Sequence, residues 1–79
     1  MERNLVKALV IEKIREVKDV EEDITEESLY NDLSLDSFDD MELIIGIEKR
    51  FKIEIPDEDV KDVDNKTIRE IVNYIYEKV

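Results

Sequence analysis

Hydrophobic residues recur at helical spacing in a stretch at each end of the chain. In the first stretch the apolar residues lie three or four positions apart, which indicates one apolar face of a helix. In the last stretch Thr67 and Glu70 have the spacing of a capping box, and apolar residues from Ile68 to Val79 follow at helical intervals. The residues of the first apolar face are Leu5, Val6, Leu9, Val10, Ile14 and Val17.

The segment VEEDITEESLYNDLSL, residues 20–35, has no helical pattern and is rich in acids, Ser and Thr. A loop of this length inside a small domain is uncommon and is usually functional or disordered. Its apolar residues are spaced along the segment, so we expect it to pack over the core. These residues are Ile24, Leu29, Leu33 and Leu35.

A second helix is predicted from about Ser37 to Lys52, and it has two apolar faces. Leu43, Ile44, Ile47 and Phe51 lie on one side, whereas Phe38, Met41 and Ile45 form a stripe nearly opposite. Glu42, Glu48 and Lys49 flank this stripe. A helix that is apolar on both sides is either buried centrally or offers one side to a partner. In so short a chain we expect a docking face, with a central core helix as the alternative.

After Pro56 the residues DEDVKDV predict a short acidic helix, because proline fixes φ at a first helical position. The chain has one Gly and one Pro, too few for the turns of an all-β fold. We therefore predict an all-α fold, a four-helix bundle of three longer helices and one short helix, with a long loop between the first and second helices. Residues 1–79 are expected to form a single domain.

The net charge of −11 limits the possible partners. Such a chain repels nucleic acid and anionic lipid and attracts proteins that carry basic patches. No apolar run approaches the length of a membrane span, and the N-terminus lacks the pattern of a secretory signal. The sequence predicts a cytoplasmic protein, a monomer, with no nucleic-acid partner and no stable membrane insertion.

The residues of common catalytic sites are largely absent. The chain has no His and no Cys, so the usual general base and the strongest nucleophile are both missing. The acidic loops fail the calcium-loop pattern, because Asp62 falls where glycine is needed and Phe38 falls at a ligand position. We expect no metal site and no catalytic residues.

Ser37 lies where the long loop meets the second helix, and its position allows two interpretations. A helix N-terminus favours a phosphate group, so Ser37 could carry a phosphodiester. Alternatively Asp36 or Ser37 caps the helix, and Asp39 or Asp40 completes a capping box. Position alone does not decide between these two roles, although it favours the cap.

The stretch DLSLDSFDDMELIIGIEKRFKIEIPDEDV, residues 32–60, resembles an acyl carrier protein. The family motif Asp-Ser-Leu, preceded by Asp-Leu-Gly, is represented by residues 36–38 (Asp-Ser-Phe) and 32–34 (Asp-Leu-Ser). The Glu-Leu that follows is Glu42 and Leu43, and the typical phrase Phe-x-Ile-x-Ile-Pro-x-Glu occupies residues 51–58. The first helix, the long loop, the Thr-capped last helix and the acidity also fit, so the resemblance covers nearly the whole chain.

The resemblance implies that a phosphopantetheinyl transferase attaches 4′-phosphopantetheine to Ser37. The arm ends in a thiol that carries acyl groups as thioesters, and the family stores growing acyl chains between its helices. Acyl-transferring and chain-elongating enzymes of fatty acid or related lipid or polyketide biosynthesis are the implied partners. They would dock on the second helix through basic surfaces. By position, the docking residues are Asp36, Phe38, Asp39, Met41, Glu42, Ile45 and Glu48.

Three residues depart from the family pattern: Ser34 replaces the usual Gly, Phe38 the usual Leu, and Lys49 stands where an acid is more usual. None removes the attachment site, but together they favour a specialised carrier over the one that serves housekeeping fatty acid synthesis. A carrier of aminoacyl or peptidyl groups is an alternative. Another alternative is an unmodified acidic helical adaptor that binds a basic protein and uses Ser37 only as a cap.

Overall fold

A computed structural model describes residues 1–79 and contains four α-helices and no strand. The four-helix prediction is therefore confirmed. The helices are α1 (Arg3–Val17), α2 (Ser37–Phe51), α3 (Asp57–Val60) and α4 (Ile68–Lys78), with 3-10 turns at Tyr30–Leu33 and Val63–Asn65.

The short helix α3 ends earlier than the sequence pattern predicts. The acids in its first turn suit a helix N-terminus, but none of its four residues is buried. The chain leaves the helix after Val60 and re-forms as a 3-10 turn at Val63, whose side chain packs against the core.

The core is built from α1, α2, α4 and the long loop. α1 contributes Val6, Val10 and Ile14, all fully buried and each one turn from the next. Two residues that the periodicity placed on apolar faces lie at the surface instead: Leu5 is 47% exposed and Val79 is 42% exposed. Both sit near a helix end, where the packed faces no longer cover the stripe. The thirteen buried residues are Val6, Val10, Ile14, Val20, Ile24, Tyr30, Leu33, Leu43, Ile47, Phe51, Ile68, Val72 and Ile75.

The long loop packs on the core as predicted, with Val20, Ile24 and Leu33 buried and Leu29 exposed. Backbone hydrogen bonds join it to the start of α4. The amides of Ile68 and Arg69, which have no partner inside the helix, donate to the carbonyls of residues 28 and 26 at 2.9 Å and 3.0 Å. The loop therefore satisfies the N-terminus of α4.

Glu26, in the long loop, joins two helices through ion pairs. Its carboxylate accepts from Arg3 of α1 at 2.7 Å and from Arg69 of α4 at 3.3 Å, and Lys7 lies at 3.6 Å. The hydrogen bond from Arg3, aided by the three positive charges, lowers the pKa of Glu26 to about 2. This cluster ties the long loop to the amino-terminal parts of α1 and α4.

Candidate functional site

α2 begins with a complete capping box. The Asp36 Oδ1 accepts from the amide of Asp39 at 2.8 Å, and the Asp39 Oδ2 accepts from the amide of Asp36 at 3.3 Å. Of the two residues that the sequence offered as caps, Asp36 is the one used. Ser37 is the first residue of the helix, its side chain is exposed, and its hydroxyl makes no hydrogen bond to the chain.

The backbone around Ser37 is suited to an anion. The first amides of a helix have no intrahelical partner, and the helix dipole adds partial positive charge there. The cap satisfies the amide of Asp39, and the amide of Asp40 donates to the carbonyl of Asp36, which leaves the two amides before them without partners in the chain. A phosphate on the Ser37 oxygen would lie beside these donors.

The two faces of α2 have opposite environments. Leu43 and Ile47 are only 3% and 2% exposed, whereas Phe38 and Met41 are 64% and 60% exposed. Ile45 lies on the same outer stripe and is also exposed. This arrangement excludes a central core helix, because one apolar stripe of α2 has no cover in the chain.

The acidic residues near this stripe differ in whether they already bind another group of the chain. Glu42 is exposed and forms no ion pair. Glu48 is half-buried, and its Oε2 accepts from the amide of Ile55 at 2.9 Å, which ties the end of α2 to the segment before α3. Asp36 and Asp39 are engaged in the cap. Of the four acids predicted to dock, Glu42 alone has no second role.

Ser34 and Lys52 lie just before and just after α2 in left-handed backbone, with φ of 59° and 58°. Non-glycine residues adopt this region rarely and at a cost, which gives a physical reason for glycine at the family position that Ser34 occupies. The substitution keeps the turn that leads into Asp36 but introduces strain beside the site.

A cleft of about 360 Å³ opens between α2, α3 and α4. Apolar side chains form most of its lining, and charged or amide side chains stand at the α4 side. Tyr30 and Tyr74 are part of it, although the sequence pattern did not indicate them as site residues; both lie among apolar residues at core spacing. The lining includes Tyr30, Leu43, Ile44, Ile47, Ile55 and Tyr74.

Each of these tyrosines is hydrogen-bonded to a carboxylate. The Tyr30 hydroxyl donates to Asp40 of α2, and the Tyr74 hydroxyl donates to Asp59 of α3. Burial, followed by the hydrogen bond to Asp40, raises the pKa of Tyr30 far above its ordinary value. Burial and the bond to Asp59 raise the pKa of Tyr74 to about 12. Both phenols are therefore neutral donors at physiological pH.

The structure brings no three acidic, histidine or cysteine side chains together in a group that could hold a metal ion. None of its helices has both the length and the apolar character that a membrane crossing requires. One free hydroxyl, an apolar outer stripe on α2 and an apolar cleft behind it make up the candidate site.

Comparison with known proteins matches this arrangement. The family described as a phosphopantetheine attachment site matches residues 5–75. The chain is 40% identical over 70 residues to an acyl carrier protein of Helicobacter hepaticus, covering 89% of this chain and 87% of that protein. It is 38% identical over 74 residues to an acyl carrier protein of Thermosynechococcus vestitus, covering 94% and 86%. No solved structure matches the chain.

A helical bundle with this match is a phosphopantetheine-dependent carrier, a protein whose cargo travels on a covalently attached arm. More narrowly, the chain belongs to the acyl carrier protein family. Its cofactor is 4′-phosphopantetheine, which supplies the thiol that carries acyl groups as thioesters. An exposed serine hydroxyl next to unpartnered amides fits attachment of such a group. The family works with partner enzymes that act on the carried group.

Proposed function

We propose that Ser37 is the attachment point of the phosphopantetheine arm. One observation carries this proposal: at the start of α2 the side chain of Asp36 caps the helix, so the Ser37 hydroxyl is not needed as a cap and stays exposed and without a partner. In loading, the Ser37 oxygen bonds to the β-phosphorus of coenzyme A as the bond to the 3′,5′-adenosine bisphosphate portion breaks. No side chain of the chain is hydrogen-bonded to the Ser37 hydroxyl, and in this proposal the partner transferase supplies the base that takes the serine proton.

The docking surface in this proposal is the outer face of α2. Phe38, Met41 and Ile45 form its apolar centre, because they are exposed and have no cover. Glu42 is the acid on this face with no other role in the fold, and it attracts basic partner surfaces. Asp36, Asp39 and Glu48 contribute charge at the edge while they also hold the helix ends.

The partners in the proposal are a phosphopantetheinyl transferase and enzymes that transfer or elongate the acyl group. The chain itself catalyses no step. The cleft behind α2 receives the apolar part of the cargo, because its lining is mainly apolar and its volume of about 360 Å³ is in the range of pockets that hold small apolar ligands. The cytoplasmic location and the monomeric state remain predictions from the sequence.

The test is mass spectrometry of the chain after incubation with coenzyme A and a promiscuous phosphopantetheinyl transferase. We expect the mass to increase by one phosphopantetheinyl group, and Ser37→Ala to abolish that increase. Ser34→Ala is the matched control, since it removes a nearby exposed serine and should leave loading intact. Both variants should remain folded, with a stability change of about 1 kcal/mol or less, because neither side chain caps a helix.

Two results would overturn the assignment. Loading that persists in Ser37→Ala would place the arm on another residue. A wild-type chain that never gains mass, while folded by circular dichroism, would favour the unmodified acidic adaptor. Transfer of an aminoacyl group, with no transfer of a fatty acyl group, to the loaded chain would favour the aminoacyl carrier.

A further inference from the structure

The charge on the outer face of α2 changes sign along the helix. Its amino-terminal half carries Asp39 and Glu42, and the acid of its carboxyl-terminal half, Glu48, is half-buried and accepts from the Ile55 amide. The carboxyl end carries Lys49 and Arg50 and is followed by Lys52. All three cations are exposed. The chain has 23 acids and 12 basic residues, so three basic residues within four positions form a local concentration of positive charge in an otherwise acidic chain.

These cations have no partner in the chain, and among the other basic residues only Lys18 and Lys61 share that condition. Arg3, Lys7 and Arg69 pair with glutamates of the long loop. Lys13 pairs with an acid of α1, and Lys66, just before α4, pairs with an acid in the first turn of α4. Arg15 donates to backbone carbonyls, and Lys78 lies over the ring of Tyr74. By contrast, the cations at the end of α2 make no hydrogen bond or ion pair.

The position of Lys49 places it on the docking face. It follows Glu42 by seven residues and Ile45 by four, so on a helix it points within about 20° of Glu42 and about 40° of Ile45. The seven-residue interval separates Lys49 from Glu42 by roughly 10 Å along the axis, about one Debye length at physiological salt. The two charges therefore do not neutralise each other, and a partner meets them separately.

Helix-dipole stabilisation accounts for part of this pattern. Cations near a helix C-terminus are favoured by the dipole, so the fold tolerates Lys49 and Arg50. The dipole does not require that a cation lie on the apolar stripe, and Lys52, in left-handed backbone, is already outside the helix. A partner that is basic along its whole docking surface would be attracted by Glu42 and repelled by Lys49.

Building on the proposed docking role of α2, we propose that the partner enzymes of this chain have a bipolar docking surface. Cations of the partner face the Ser37 end of α2, and carboxylates face Lys49, Arg50 and Lys52. The opposite charges at the two ends of α2 fix the orientation in which the partner docks along the helix. This orientation directs Ser37 toward the partner's active site. They also discourage productive docking with enzymes that serve carriers with acids along the whole helix.

The test uses the phosphopantetheinylated chain and an acyltransferase whose docking surface is basic throughout. We compare kcat/KM for acyl transfer to the wild type, to Lys49→Glu and to Lys61→Glu. Lys61 is an exposed cation without a partner outside α2, so its reversal changes the net charge equally. Lys49→Glu should raise kcat/KM about tenfold at low salt, and the gain should disappear at high salt. Lys61→Glu should stay within about twofold of the wild type.

A second arm uses the same acyltransferase with glutamates in place of the cations that contact the carboxyl-terminal half of its carrier's second helix. The preference should then reverse, so that the wild type is a better substrate than Lys49→Glu. Equal rates for the wild type and Lys49→Glu with both enzymes would overturn the inference. If Lys49→Glu folds poorly by circular dichroism, Lys49→Gln should give the same direction at about half the effect.

The outcomes separate this inference from the proposed function. If the wild-type chain cannot be loaded with phosphopantetheine, the proposed function fails. If it loads and accepts acyl groups but reversal at Lys49 has no effect with either enzyme, the carrier role stands and the bipolar surface is wrong.

Discussion

The Tyr30 hydroxyl donates a hydrogen bond to the Asp40 carboxylate and so joins the 3-10 turn of the long loop to the first turn of α2. Tyr30 is 3% exposed and lines the cleft. The loop, the cleft wall and the helix start that bears Ser37 are therefore connected through one side-chain pair.

Tyr30→Phe should destabilise the fold by about 1–2 kcal/mol, since it removes a hydrogen bond to a carboxylate that water can partly rehydrate. The raised pKa of Tyr30 also predicts a pH dependence. The unfolded phenol ionises near pH 10 while the folded one stays neutral, so this stabilisation is complete below pH 10 and declines as pH rises above it. Urea unfolding from pH 8 to 11.5 should show a smaller decline for Tyr30→Phe than for the wild type. A parallel decline in both proteins would contradict the prediction.

Glu26 should make the fold sensitive to acid. Its pKa of about 2 in the folded chain lies below the ordinary value of 4.5, so its contribution is complete above pH 4.5 and declines as pH falls toward 2. The Glu26→Gln variant should have a lower free energy of unfolding than the wild type at neutral pH. Its free energy of unfolding should also fall less steeply than that of the wild type between pH 4.5 and pH 2. Glu12→Gln, at an exposed position without an ion pair, is the control and should leave that slope unchanged.

Ser34→Gly and Lys52→Gly should each stabilise the chain by about 0.5–1 kcal/mol, because glycine adopts a φ near 60° without the strain of a side chain. Glu12→Gly, in the exposed middle of α1, should destabilise by roughly the same amount. Thermal melts of the three variants provide the measurement. A loss of stability in Ser34→Gly would mean that the serine side chain supports the turn in a way that its geometry does not indicate.

The two faces of α2 should separate stability from recognition. Leu43→Ala and Ile47→Ala should destabilise by about 2–5 kcal/mol as buried truncations. Met41→Ala and Ile45→Ala should change stability by less than about 1 kcal/mol and should instead speed dissociation of the transferase. Melting temperature and loading rate, measured on the same four proteins, test both statements.

Within the outer face, the acids should behave differently. Glu42→Lys should slow association with a basic enzyme and leave the fold intact, since Glu42 makes no ion pair. Glu48→Lys should also destabilise the chain, because it removes the acceptor for the Ile55 amide. Equal melting temperatures for the two variants would contradict the role given to Glu48.

Loading the arm with a medium-length saturated acyl chain should raise the melting temperature above that of the phosphopantetheinylated chain, because apolar cargo in the cleft binds the folded state alone. A two-carbon cargo is the control and should give little change. Identical melting temperatures for both cargoes would indicate that the chain leaves its cargo in solvent.

The helices and their buried faces were accessible from the sequence because helical periodicity records which side of each helix meets the core. Val6, Val72 and Leu43 followed directly from that rule. The two-sided pattern of α2 also gave the exposed stripe at Phe38 and Met41, since no other segment could cover it.

The side-chain pairs could not be predicted in the same way. Glu26 lies 23 residues from Arg3 and 43 from Arg69, and Tyr30 meets Asp40 only after the loop folds back on α2. Such pairings depend on tertiary geometry, which local spacing does not specify. The amide bound by Glu48 was missed for the same reason, because a backbone donor leaves no mark on the pattern of residue types.

The hydrogen bonds between the long loop and the first turn of α4 bear on how the molecule opens. The amides of Ile68 and Arg69 depend on loop carbonyls, and the amide of Tyr30 in turn donates to the carbonyl of Lys66. Neither segment can release its partner while remaining intact, so these three amides should exchange with deuterium through one shared opening event. By contrast, the segment around α3 buries no residue, so we expect it to open locally without breaking the junction between the long loop and α4.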